Sequence, residues 1–184
     1  VEELTGGVLG GALKRGKLKI GDEIEIKPGL LIKKENQTIY KTVKTKILSL
    51  YKGKYPIKEA VPGCSLAIET ELDPILTKAD NLSGCVASLS NELPEITSKI
   101  KLKFKLFDKI YGVKEEMKVE NIKNSENLLL SSNTSITVGL VTRVVDNEVD
   151  INLKIPIVPF KGDSLGIARN IQGHWRLIGW GELV

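Results

Sequence analysis

Six glycines between positions 6 and 21 limit what the start of this chain can become. They stand at 6, 7, 10, 11, 16 and 21, separated by Val8, Leu9, Leu13, Leu18 and Ile20, with Ile24 and Ile26 following. An interior glycine costs a helix roughly 1 kcal/mol against alanine, so no stable helix runs through this stretch. Strands that bend sharply and pass close to one another use glycine well, as in a small barrel. Leu18, Ile20, Ile24 and Ile26 alternate with polar residues except at Gly21-Asp22. That pattern predicts a tight turn and a β-hairpin entering a barrel.

Gly11-Ala-Leu-Lys-Arg-Gly16-Lys17 also fits the phosphate-cradling pattern GxxxxGK. The pattern requires Ser or Thr next, and position 18 is Leu. It must also open a helix whose first amides hold the phosphate, whereas the sequel alternates as a strand. Asp163-Ser-Leu-Gly166 and Thr77-Lys-Ala-Asp80 echo other GTPase motifs but are too short to carry weight. No nucleotide loop is expected.

The rest of the chain is short alternating or β-branched runs between turn residues, the pattern of an all-β protein. Its length of 184 residues and 41% hydrophobic content suffice for one large or two small packed domains. Leu30–Thr42, polar in its middle, reads as a protruding hairpin. Val43–Tyr51 and Cys64–Glu69 read as strands around turns at Lys52–Pro56 and Val61–Gly63. Asp73–Asn81 has no clear period, and a domain boundary is expected near residue 82. The expectation is therefore two consecutive β-barrels, residues 1–82 and 83–184. The second would use Gly84–Leu89, Thr97–Phe107, Met117–Asn121, Leu128–Ser131, Ile136–Val145, Val149–Ile155, Ser164–Asn170 and His174–Leu183, with a helical turn at most over Phe107–Gly112.

No apolar run nears the roughly 18 residues of a membrane span, and no leader-like stretch opens the sequence. Cys64 and Cys85 lie too far apart for a paired metal knuckle, and with one histidine no zinc set forms. Two reduced, mostly buried thiols are expected. No acid–base cluster suggests catalysis; His174 is expected to hydrogen-bond at a barrel seam, and Trp175 and Trp180 to anchor cores. The net charge of +4 permits contact with RNA without requiring it. In Thr97–Phe107 the residues Lys99, Lys101, Lys103 and Lys105 share one face, opposite Ile100, Leu102, Phe104 and Leu106. That face is either a solvated strand surface or a stripe for RNA phosphates.

Gly6, Val8, Gly11, Leu13, Gly16, Leu18, Gly21, Asp22 and Ile24 match the pattern that opens the second domain of translational GTPases such as elongation factor Tu. Lys27-Pro-Gly29, Leu72-Asp-Pro-Ile-Leu-Thr-Lys-Ala-Asp-Asn-Leu82, Leu93-Pro-Glu-Ile96 and His174-Trp-Arg-Leu-Ile-Gly-Trp-Gly181 resemble the gamma subunit of archaeal and eukaryotic translation initiation factor 2. The resemblance covers the chain from end to end, but only as the family's second and third domains; its GTP-binding domain has no counterpart here.

The resemblance implies a cytoplasmic, non-enzymatic part of a factor that carries methionylated initiator tRNA to the small ribosomal subunit. GTP and magnesium would belong to the unmatched domain, leaving this chain without a cofactor. Mapped residue by residue, the acceptor-end contacts fall on Gly6, Gly7, Val8, Tyr51, Lys52, Gly53 and Lys54. The family's acidic adenine partner falls on Tyr51, so that contact does not carry over. Glycine lets a nucleotide approach, tyrosine can stack and lysine meets phosphate; the same residues also suit tight turns. An alpha subunit would dock on the second domain, with Lys33, Lys34 and Tyr40 as candidates, and a beta subunit on the unmatched one. Two alternatives stay open: another translational GTPase, selenocysteine-specific or Tu-type, and a scaffold whose main work is to hold the alpha subunit.

Overall fold

The computed structural model describes residues 5–34, 37–113 and 116–184, and the side chains of 34 and 37 also stay outside the description. The chain forms two compact units, Val1–Leu93 and Pro94–Val184. In the first, the strands are β1 (Val8–Ala12), β2 (Leu18–Lys19), β3 (Glu23–Lys34), β4 (Gln37–Lys52), β5 (Tyr55–Ile57), β6 (Glu59–Ala60), β7 (Ser65–Thr70) and β8 (Val86–Leu89). They form a sheet of order β1-β7-β4-β3-β8, with β5 beside β4, and a small pair β2-β6.

Strand β4 organises this unit, because its first half pairs with β3 and its second with β7. A register shift between Ile47 and Ser49 lets it bend from one ladder to the other. Ile24, Ile47 and Leu50 are buried with Leu18, Ala60 and Leu66 in one cluster; Ile26, Val43 and Leu72 make a second. Each large aliphatic side chain so buried contributes about 1.5–3 kcal/mol. Between Ile26 and Leu30 the β3–β4 register breaks at Pro28-Gly29, after a cis Lys27–Pro28 bond. Gly29 has φ +87°, and a Cβ there would collide with the Lys41 carbonyl, so the position requires glycine.

The expected hairpin across Gly21-Asp22 does not form. The turn is present, with Asp22 N donating to Lys19 O (3.2 Å) and the Asp22 carboxylate accepting from Lys19 N (2.8 Å). Its two flanks part, however: Leu18–Lys19 pairs with β6, while β3 pairs with β4 and β8. Ile20 therefore stays about half exposed. Long-range pairing overrode the local pattern.

After β7, Asp73 caps a short helix α1 (Pro74–Thr77) by accepting from Ile75 N (2.9 Å), and a 3-10 turn follows over Lys78–Asp80. The units do not divide near residue 82. Val86–Leu89 adds to β3, not to the second unit, and carries the boundary to Leu93. Two buried charges on β3 hold that point. Glu25 accepts from Leu93 N (2.9 Å), Lys27 donates to Leu93 O (3.2 Å), and the two lie 4.0 Å apart.

The second unit is a closed barrel of β9 (Thr97–Leu106), β10 (Asn127–Ser132), β11 (Ser135–Val145), β12 (Glu148–Ile157), β13 (Ser164–Ile171) and β14 (His174–Leu183). Its order is β10-β11-β12-β9-β14-β13, with β13 returning to β10. Leu102, Leu128, Leu130, Val141, Ile151, Ile167 and Ile178 fill it. The ladder closes on itself in this unit, whereas in the first it forms a curled sheet. Phe107–Gly112 holds no helical turn among the described residues, and Met117–Asn121 contributes one bridge, Lys109 to Lys118, in place of a strand. That crossing segment is pinned by Arg169, which binds the Glu126 carboxylate and the Glu120 (2.9 Å) and Asn121 (3.2 Å) carbonyls.

Candidate nucleic-acid interface

Strand β7 separates the two halves of the expected acceptor-end site. Val8 and Ser49 flank Glu69, while Gly10 and Tyr51 flank Ala67. Gly6 and Gly7 thus lie at one end of β7 and the Tyr51–Lys54 turn at the other, about 10 Å or more apart at 3.3 Å per residue.

Gly6 and Gly7 are buried by their own chain. A Cβ on Gly6 would collide with the Thr70 carbonyl, and one on Gly7 would sit 2.7 Å from Thr77 Cγ2. Gly7 N donates to Leu72 O (2.6 Å), and Thr70 N and Oγ1 both donate to Gly7 O. Close packing against β7 and α1 therefore explains both glycines without a nucleotide. Val8 is half-buried beside Glu69, whose carboxylate accepts from Ser49 Oγ (2.5 Å) and from Thr5 N (2.9 Å). Those bonds, the Ser49 hydroxyl first, hold the Glu69 carboxyl below the usual carboxylate range.

The other half is open. Lys52 pairs with Tyr55 across Gly53-Lys54, and Gly53 takes φ +60°, as the first position of a two-residue hairpin turn of this kind requires. Lys52, Gly53 and Lys54 are exposed, Tyr51 is half-buried, and Tyr55, closing the same turn, is 76% exposed.

The lysine stripe faces solvent as expected, with Ile100 and Leu102 buried on the reverse side. Acids lie beside it, however. Lys101 pairs with Glu148 (3.6 Å) and stands opposite Asp150; Lys103 stands opposite Glu148 and Glu182. This alternation of sign favours the solvated face over a phosphate track. Trp175 and Trp180 are about 40% exposed and so are not core anchors. His174 is exposed at the β13–β14 turn, with no side-chain hydrogen bond among the described residues.

The hairpin of β3 and β4 does form, and its register sets Leu31 opposite Tyr40, Ile32 opposite Ile39 and Lys33 opposite Thr38. Lys33 is exposed; Tyr40 is half-buried, and burial first, then Cys85, pushes its hydroxyl pKa up. The Lys34 side chain lies outside the described residues. Leu31 and Ile39 are nearly half exposed, an apolar feature that the polar run Lys33–Gln37 concealed. Cys64 and Cys85 are free and half-buried, and burial raises the Cys85 thiol pKa. Among the described residues no cluster of His, Cys, Asp or Glu could hold a metal ion, and no helix is long and apolar enough to cross a membrane.

The crystal structure of a bacterial selenocysteine-specific elongation factor, EF-Sec, matches 97% of this chain and 25% of its own, with a TM-score of 0.70 and 20% identity. Residues 98–183 match the family model "Initiation factor eIF2 gamma, C terminal". Translation initiation factor 2 subunit gamma of Methanocaldococcus jannaschii is 43% identical over 183 residues, that of Aeropyrum pernix 44% over 181, and that of Pyrococcus horikoshii 42% over 180. From end to end the chain matches part of translation initiation factor 2 subunit gamma. It spans 98–100% of itself in these alignments but only 44% of each relative's length.

Proposed function

We propose that this chain is the part of an initiation factor 2 gamma protein that holds RNA and partner subunits, and that the whole protein delivers methionylated initiator tRNA to the small ribosomal subunit in the cytoplasm. The observation that carries this reading is likeness over the full chain to proteins named for that factor, at 43% identity over 183 residues with the first of them. By itself the chain acts as a binding module and not as a GTPase. The segment after Gly16-Lys17 supports this, since it is strand β2 and offers no helix start to a phosphate. GTP and magnesium, and the beta subunit, belong to the remainder of the protein. Specificity tests the reading: the factor prefers methionylated initiator tRNA over tRNAs charged with other amino acids. Equal affinity for all of them would assign the chain to a sister elongation factor.

A second role rests on the β3–β4 arm, where Leu31 and Ile39 are exposed beside Lys33. Exposed aliphatic side chains on a hairpin suit a protein partner better than RNA. The alpha subunit is the occupant that the family reading supplies. Co-elution with purified alpha subunit, lost in a Leu31→Ser/Ile39→Ser variant, would support it; unchanged co-elution would remove the arm from that interface.

A further inference from the structure

Gly10 and Gly11 have no internal explanation. Neither takes a positive φ, the β1–β7 register runs unbroken past both, and a Cβ on either would meet nothing within 4 Å. A strand glycine that serves neither bend, bulge nor packing marks a place where another backbone approaches. Both sit on β1, the terminal strand of its sheet.

The topology brings charge to the same place. Strands β1 and β4 both run antiparallel to β7 and so parallel to each other, with Gly10, Ala67 and Tyr51 in one row. Adjacent strands lie about 5 Å apart. Beyond that row the chain leaves β1 into Lys14-Arg15-Gly16-Lys17 and leaves β4 into the Lys52–Tyr55 turn. The loop Val61–Cys64 enters β7 at the same end. Arg15, Lys52 and Lys54 are exposed and enter no ion pair among the described residues. Glu59 is the acid there, and it is occupied by Lys17 (3.3 Å) and Lys19 (3.5 Å). Val61 is the exposed aliphatic side chain of the three loops, too little for the apolar core of a protein interface. Tyr55, at 76% exposure, gives a flat ring on the hairpin tip.

We propose that this end of the first unit, floored by Gly10 and Gly11 and ringed by Arg15, Lys52, Lys54 and Tyr55, binds an RNA sugar–phosphate backbone whether or not a 3′ terminus is present. The bare strand lets the backbone lie against the protein, the three cations meet successive phosphates, and Tyr55 stacks on an unpaired base. The inference rests on the RNA-binding reading above but assigns this surface to the chain of the RNA and not to its aminoacylated end.

Fluorescence anisotropy on the full chain tests it. The probes are an unstructured 12-nucleotide RNA and initiator tRNA with and without its terminal adenosine. Both tRNAs and the short RNA are expected to bind with a steep salt dependence. The R15Q/K52Q/K54Q variant should lose about tenfold in affinity at low salt, and the log–log salt slope should fall by about 2. Tyr55→Ala should lose about fivefold while Tyr55→Phe retains binding. The G10T/G11T variant, which places β-branched residues into open space on a strand, should fold with an unchanged or raised midpoint and lose RNA binding. Binding that needs the terminal adenosine, with no affinity for the short RNA, overturns the inference and leaves the factor reading standing. Loss of all tRNA binding overturns both. Unchanged RNA affinity in well-folded G10T/G11T, or displacement of the short RNA only by an extended peptide that pairs with β1, overturns the inference as well.

Discussion

Replacing Lys27 by methionine removes a buried ammonium while keeping most of its stem. Glu25, 2% exposed, keeps its bond from Leu93 N (2.9 Å) but loses the cation 4.0 Å away, and Leu93 O loses the donor at 3.2 Å. Breaking one side of a buried pair costs about 3–5 kcal/mol, because the remaining charge stays uncompensated. The surviving Leu93 N–H offsets part of this, so about 3 kcal/mol is expected. Glu25→Gln leaves an amide oxygen to accept from Leu93 N but strands the buried Lys27 ammonium, and should likewise cost about 3 kcal/mol. For a unit of this size 3 kcal/mol lowers the melting midpoint by about 12 °C or more. Calorimetry reads that shift. Amide exchange at Leu93 reads the local effect, with protection falling about a hundredfold in Lys27→Met. A loss below about 1 kcal/mol with Leu93 still protected would show that the pair does not fasten the boundary.

Gly29→Ala should be the most damaging alanine substitution on β3, costing at least about 3 kcal/mol in urea unfolding, because φ +87° and the Lys41 carbonyl both exclude a Cβ. Arg169→Met should cost about 2–3 kcal/mol and expose the 107–126 segment to proteolysis, since it frees the half-buried Glu126 carboxylate and two carbonyls together. Acid should destabilise the first unit through Glu25, held low chiefly by the Leu93 N–H, and Glu69, held low chiefly by Ser49. A carboxyl whose folded pKa is depressed contributes stability above its unfolded value of about 4.3, and that share is lost as pH falls through the folded pKa. The Glu25→Gln/Glu69→Gln variant should therefore unfold with a flatter pH dependence below about pH 4.5, measured as the urea midpoint against pH.

Local alternation was legible wherever a strand's two faces meet different surroundings. Ile100 and Leu102 against Lys99, Lys101 and Lys103 gave β9 its bounds to within one residue and its correct face. Pairing partners were not legible. Leu18–Lys19 finds β6 some forty residues on, and Val86–Leu89 returns to β3, so a turn was mistaken for a hairpin and a boundary was placed too early. Nothing in the alternation of Ile24 and Ile26 with Glu25 and Lys27 marks those charges as buried, since charge is usually exposed; only the fold reveals that both serve Leu93. At the candidate interface the glycine spacing pointed to close approach but not to what approaches. Gly6 and Gly7 meet their own chain, whereas Gly10 and Gly11 meet open space.

The most direct measurement is the affinity of this chain for methionylated initiator tRNA as salt rises from 50 to 200 mM. A surface of loop cations with half-open strands predicts weak binding that falls by about tenfold or more over that range. Tight binding that ignores salt, or no binding at 50 mM, would contradict the account.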